Sequence, residues 1–183
     1  MRLWLLRHAP VDAAPGTCYG ATDLTALAEA TQAAAASVAP LLSASMALHS
    51  SPLQRCSALA GAIAGLRREL PPFQFDARIA EMDFGAWEGR PWSAIDRTDF
   101  DAWLSDFEDA RAGVTGESTR LFMQRVGAAW DAWRATGRDA LWVTHAGVIR
   151  AVWLLQKGVR CPTSAIDWPT QAIGFGELTS VEA

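Results

Sequence analysis

The chain has 183 residues, half of them hydrophobic and a fifth charged, enough for one domain with a sizeable core and the balance of a soluble globular protein. A formal net charge of −4 runs against a nucleic-acid scaffold, whose footprint is a basic patch. The apolar run after Met1-Arg2 stops at Arg7-His8, too short for a secretory segment of roughly 7–15 residues or a membrane helix of about 20. Cys18, Cys56 and Cys161 are odd in number and far apart. They fit neither a disulfide framework nor metal-ligand spacing, so a reducing compartment, the cytoplasm, is expected.

In chain order, "LWLL" (3–6) is a short, wholly apolar strand of the kind found inside a parallel sheet. A loop with Pro10, Pro15, Gly16 and Gly20 follows. Residues 24–39 form a helix by alanine and leucine content, closed by Pro40. "SMALHS" (45–50) is the next strand and 53–68 the next helix, with Pro52 at or near its first position. Residues 73–82 are a weaker strand and loop, and 91–112 a short helical lid rich in acidic groups. An amphipathic helix spans 116–135, with Ser118 as the candidate cap. "DALWVTH" (139–145) is a strand, 147–158 a helix ended by Gly158, and a last strand falls within 172–181. Alternating strands and helices imply a three-layer α/β/α fold with a mostly parallel central sheet, as a single domain over 1–183.

In such sheets ligands collect beyond the carboxyl ends of the strands. Arg7-His8 and His145 both fall there, each closing an apolar strand. Arg55 lies in the first turn of the helix after "SMALHS", where helix N-termini favour anions and a guanidinium adds a forked donor. All but one of the sixteen basic residues are arginine, the side chain best shaped for phosphate or carboxylate. Genome composition produces the same bias. The nine tryptophans are better explained by core packing than by a ligand platform. An anion site of this kind can use one carboxylic acid to protonate a leaving group. Glu81, Asp83 and Glu88 in "EMDFGAWEG" are the candidates, and the residues alone do not choose among them. His49 is read as a neighbour of the site without a role. No GxGxxG, Walker loop or GxSxG is present, and no spacing supports a zinc site.

With Arg7-His8, Arg55, Glu81 and His145 in view, the sequence resembles the histidine phosphatase superfamily (phosphoglycerate mutase-like) over nearly its whole length. "LLRHA" is similar to the family's Arg-His-Gly strand end, "SSPLQRC" to its Ser-Pro-Leu-x-Arg element, and "EMDFGAWEG" to its Glu-x-x-Phe-Gly-x-x-Glu-Gly element. "GES" (116–118) and "VTHAG" (143–147) follow in the expected order. The resemblance implies that His8 is a nucleophile forming a phosphohistidine, that Arg7, His8, Arg55 and His145 surround the phosphoryl group, and that Glu81 is the proton donor. It implies no metal and no cofactor. His8 would be neutral and His145 protonated.

"GTCYGATDL" (16–24) resembles a segment of the family's α-ribazole phosphatases, which act late in cobalamin nucleotide-loop assembly, and implies that Tyr19 and Gly20 bind substrate. Three departures stand out. Ala9 replaces the usual glycine, Val11-Asp12-Ala13-Ala14 lacks the asparagine of the mutases, and the lid is short. The expected function is therefore a phosphomonoesterase acting on a small-molecule phosphate ester. A phosphoglycerate mutase or broad sugar-phosphate phosphatase is the alternative, and a non-catalytic phosphate-binding module the alternative of another class. The lid acids Asp96, Asp99, Asp101, Asp106, Glu108 and Asp109 are expected to face the pocket mouth and repel a second anionic group. Trp87 and Trp92 would flank an aromatic substrate body.

Overall fold

The computed structural model describes Met1–Ala183. Strand β1 (Arg2–Arg7) has Leu3, Leu5 and Leu6 fully buried, and β4 (Ala140–Thr144) is buried at every position. Runs apolar on both faces suit only the middle of a covered parallel sheet, and these two strands pair in parallel there, Leu3 opposite Ala140 and Arg7 opposite Thr144. Strand β2 (Ala47–Ser50) flanks β4, also in parallel, and carries the two-residue β3 (Gln74–Phe75) at the edge. Strand β5 (Leu178–Glu182) closes the other side, antiparallel to β1. The order β3-β2-β4-β1-β5 gives the expected mostly parallel α/β architecture.

Helices α1 (Ala28–Val38) and α2 (Gln54–Leu66) cover one face, packing with Leu6, Leu48, Leu141 and Val143. Helices α4 (Thr119–Thr136) and α5 (Ala146–Gln156) cover the other, packing with Leu3, Leu5, Ala140 and Trp142. The strand residues alternate between these two clusters, as a period of two requires.

Several boundaries differ from the sequence reading. Helix α1 starts at Ala28, because Leu27 is extended and gives its N–H to Pro10. Pro40 does not close it: the chain runs on through a short 3₁₀ turn, Ala39–Leu41, whose first residues need no N–H donor. Pro52 stands one residue ahead of Leu53, the N-cap of α2. Ser118 does cap α4, accepting from the Leu121 N–H at 3.3 Å, and Gly137 ends that helix in the left-handed region at φ 66°.

The lid contains a short 3₁₀ turn, Trp92–Ala94, and one α-helix, α3 (Arg97–Ser105), capped by Asp96. Its acids do not face the pocket. Phe100, Trp103, Leu104 and Phe107 repeat at helical spacing and turn inward, which sends the charged positions to solvent. Asp101 pairs with Arg97, while Glu108 and Asp109 pair with Arg120. Trp87 is buried beneath Trp92 and Trp103 in an aromatic cluster. Of the two tryptophans expected at the mouth, only Trp92 lines the cavity. No helix is long and apolar enough to cross a membrane.

Candidate active site

The site sits at the carboxyl ends of β1, β2 and β4. Arg7 is the last residue of β1, His8 follows it, and the His8 N–H bonds the Thr144 carbonyl at 3.0 Å, so His145 emerges alongside. The two imidazoles lie 5.2 Å apart between ring centroids. Ser51, just past β2, is fixed by its N–H on Val143. Gly176 completes the floor: at φ 71° its N–H points at the carbonyls of Arg7 and His8, a conformation that favours glycine.

His8 is 2 % exposed, and its Nδ1 lies 2.7 Å from the Ala9 carbonyl oxygen. A carbonyl only accepts, so Nδ1 carries the proton and Nε2 keeps a free lone pair. Burial, followed by the charges of Arg55 and Arg7, pushes its pKa down to about 3, against the Ala9 carbonyl, which favours a proton. Ala9 therefore serves through its carbonyl, and its side chain is fully buried.

His145 is also fully buried. Arg55 Nε donates to its Nδ1 at 3.3 Å, which leaves the proton on Nε2, 2.8 Å from Ser51 Oγ. Burial first, and Arg55 and His8 after it, hold its pKa well below the usual range. Both imidazoles are therefore neutral by themselves. The expected split into one neutral and one protonated ring requires an anion to offset the arginines.

Arg55 is fully buried without a carboxylate partner. Its Nη1 and Nη2 donate to the carbonyls of Thr22 (2.8 Å) and Gly20 (2.6 Å). A buried cation held only by neutral dipoles is an incomplete pair, and an incoming anion would complete it. Arg7 donates Nη1 to Ile173 O and stacks 3.8 Å from the Phe175 ring centroid, while its buried Nε has no partner.

The three candidate acids separate cleanly. Glu81 lies on the cavity wall and accepts from the N–H groups of Gly147 (3.1 Å) and Met82 (3.2 Å). Glu88 is a loop clamp. It accepts from the N–H groups of Gly20, Ala21, Thr22 and Phe84 and from the Thr22 hydroxyl. Burial alone would raise its pKa, but these donors more than offset that and leave it lowered. Asp83 turns back to accept from the Gly85 N–H.

A cavity of about 650 Å³ opens above His8. Arg7, His8, Tyr19 and Glu81 line it, whereas Arg55, His145 and Gly20 stand behind the wall. Tyr19 reaches over Arg55, its ring centroid 5.4 Å from the guanidinium carbon. Gly20 has a backbone role: a Cβ there would fall 1.8 Å from the Met82 carbonyl oxygen, so only glycine lets the loop lie under Arg55. His49 lies within β2, paired with Trp142 and Gln74, away from the cavity.

The sequence reading missed Ser51, which buttresses His145, and Arg150, a second guanidinium on the wall one turn into α5. "SSPLQRC" contained Ser51, and Arg150 follows "VTHAG" at helical spacing. Neither carried a signal of its own. Much of the cavity wall is a connected aromatic cluster, Phe84, Trp92, Phe100, Trp103, Phe107 and Trp168.

Comparison with known proteins places this geometry. The chain aligns over its full length with phosphoglycerate mutase from Thermus thermophilus, at 27% identity, 93% coverage of that chain and a TM-score of 0.71. It aligns over 99% of its length with mycobacterial glucosyl-3-phosphoglycerate phosphatase, at 25% identity, 89% coverage and a TM-score of 0.77. "Mycobacterial hydrolase 2" is similar at 25% identity over 98% of this chain and 80% of that one, with a TM-score of 0.77. Comparison with curated proteins finds no match. The model of the histidine phosphatase superfamily (branch 1) matches residues 3–166, nearly the whole span that builds the site, and the chain is an enzyme belonging to that superfamily.

Proposed function

We propose that the protein is a phosphomonoesterase acting through a phosphohistidine, without a metal. The reading rests on one observation: His8 has its Nδ1 proton tied to Ala9 O and its ring on the wall of a cavity shared with Glu81. The His8 Nε2 lone pair attacks phosphorus while the ester P–O bond breaks, and the Glu81 carboxyl gives its proton to the leaving oxygen. Water then attacks the phosphohistidine, the Glu81 carboxylate takes the water proton, and inorganic phosphate leaves. Phosphoryl transfer asks the protein mainly for alignment and charge. Arg7 on the wall and Arg55 with His145 behind it supply the charge, and no three His, Cys, Asp or Glu side chains are grouped as a metal site. Protonation of His145 would require an anion to offset burial and Arg55, and Arg55 Nε would have to leave Nδ1, which then carries a proton itself.

The substrate reading is α-ribazole 5′-phosphate, in cobalamin nucleotide-loop assembly in the cytoplasm. Its support is the aromatic wall of the cavity, which fits a flat heterocycle better than a small acid. A second reading, a phosphoglycerate or sugar-phosphate substrate, rests on Arg150, a second guanidinium on the cavity wall of the kind that suits a carboxylate.

Brief incubation with an alkyl phosphate and quenching without acid tests the chemistry. The expected product is an acid-labile, alkali-stable phosphoryl group on His8, absent from His8→Ala. Phosphate found on Ser51 or Cys18 would overturn it.

A further inference from the structure

The segment that carries Glu81 has no regular structure of its own. Strand β3 ends at Phe75, a single 3₁₀ turn covers Ala77–Ile79, and the next turn starts only at Gly85. Yet four consecutive carbonyls, those of Arg78, Ile79, Ala80 and Glu81, each accept a hydrogen bond from a side chain. Thr144, the last residue of β4, donates its hydroxyl to Ile79 O at 2.7 Å. Arg125 on α4 supplies the other three. Its Nη1 donates to Arg78 O (3.0 Å) and Ala80 O (2.6 Å), and its Nη2 to Glu81 O (2.8 Å). The remaining two N–H groups hold Glu117 in a fork, Nε on Oε1 at 2.7 Å and Nη2 on Oε2 at 2.8 Å. Glu117 Oε2 in turn accepts the N–H of Asp83 at 3.0 Å. All five guanidinium donors are therefore assigned, and the chain on both sides of Glu81 hangs from one ion pair.

We infer that Arg125 and Glu117 are positioning residues, which set the backbone at Glu81 so that its carboxyl meets the leaving group of the substrate. The inference rests on the proposed role of Glu81 as proton donor. Neither residue lines the cavity, so neither touches substrate, and their hydrogen bonds reach the site through the backbone around Glu81. An ion pair of about one-fifth exposure on each side is a weak source of stability, since desolvation offsets much of its attraction. A forked guanidinium is directional, and lysine cannot reproduce it.

The test compares Arg125→Lys and the milder Glu117→Gln with the parent enzyme on an alkyl phosphate and on an aryl phosphate, which departs without a proton. Both variants are expected to lose about 10- to 100-fold in kcat on the alkyl ester. On the aryl ester, and in inhibition by inorganic phosphate, they should stay within about threefold. In a Glu81→Gln background the same substitutions should cost nothing further, because the group they aim is already gone. Equal losses on both esters, or additive losses in the Glu81→Gln background, would overturn the inference and leave the phosphohistidine chemistry standing. Glu81→Gln failing to separate the two esters would overturn the role of Glu81 and this inference with it. Glu117→Gln keeps the test open if Arg125→Lys does not fold.

Discussion

Gly147 offers a sharp perturbation of the proposed acid. It lies in the first turn of α5, and a Cβ built on it would fall 2.2 Å from Glu81 Oε1 and 3.0 Å from the carboxyl carbon. Ordinary contact begins near 3.4 Å, so in Gly147→Ala the carboxylate must retreat by about 1.2 Å, and its bond from the Gly147 N–H is strained or lost. Misplacing a catalytic group by about 1 Å can cost on the order of 10²-fold in rate. Stability should not fall in step. The backbone at Gly147 is outside the left-handed region, and alanine favours a helix over glycine by up to about 1 kcal/mol. The only clashing atoms belong to the end of a flexible side chain. The expected result is a kcat/KM near 10²-fold lower on an alkyl phosphate, little change on an aryl phosphate, and an unfolding midpoint at or above the parent's. An unchanged ratio between the two esters would refute the placement of the acid at Glu81.

The other expectations concern stability and substrate. The folded-state pKa of His8, about 3, lies below the unfolded value of about 6.5, so between these limits only the unfolded chain takes the proton. Stability is then full above pH 6.5 and falls as pH drops, by about 1.4 kcal/mol per unit for this one histidine. His145 is lowered as well and acts in the same direction. Denaturant melts at pH 6 and pH 5 should show a shallower slope for His8→Asn, and an unaltered slope would refute the neutral, buried state of this ring. For substrate, kcat/KM for α-ribazole 5′-phosphate should exceed that for 3-phosphoglycerate by at least about tenfold, some 1.4 kcal/mol. A reversed ratio would favour the reading built on Arg150.

What was legible in the sequence was legible for physical reasons. Apolar runs without alternation announced β1 and β4, and a polar residue closing each run announced the rim where His8 and His145 meet. Helix ends were less visible. The start of α1 is set by the Leu27 N–H reaching Pro10, a contact that local propensity does not contain. The residues alone left the choice among Glu81, Asp83 and Glu88 open, and only the family resemblance pointed to Glu81. The choice depends on which backbone N–H groups surround each carboxylate, and Glu88 is committed to the Phe84 N–H and to loop 20–22, whose three N–H groups and one hydroxyl it accepts. The orientation of the lid was legible but misjudged. Its acids were counted as a sum, when Phe100, Trp103, Leu104 and Phe107 already marked the inward stripe.

That reorientation changes what selects the substrate. With the lid acids in solvent, charge at the mouth no longer argues against a second anion, and in the proposed function selection would rest on the aromatic wall. The cavity wall then has two parts with separable work. In the proposed reaction Arg7, His8 and Glu81 would meet the phosphate monoester itself. Trp92, Trp103 and Trp168, also on the wall, would then meet the body that follows it, by ring stacking and apolar burial. Apolar pockets discriminate weakly, at about 1–3 kcal/mol per group that fits or fails to fit, whereas an unmet hydrogen bond discriminates more strongly. Trp103 Nε1 and Thr119 Oγ1 are unpartnered but buried, so in the proposed reading the preference would rest on the rings. On the proposed reading the cavity would take many flat bodies and separate them only weakly.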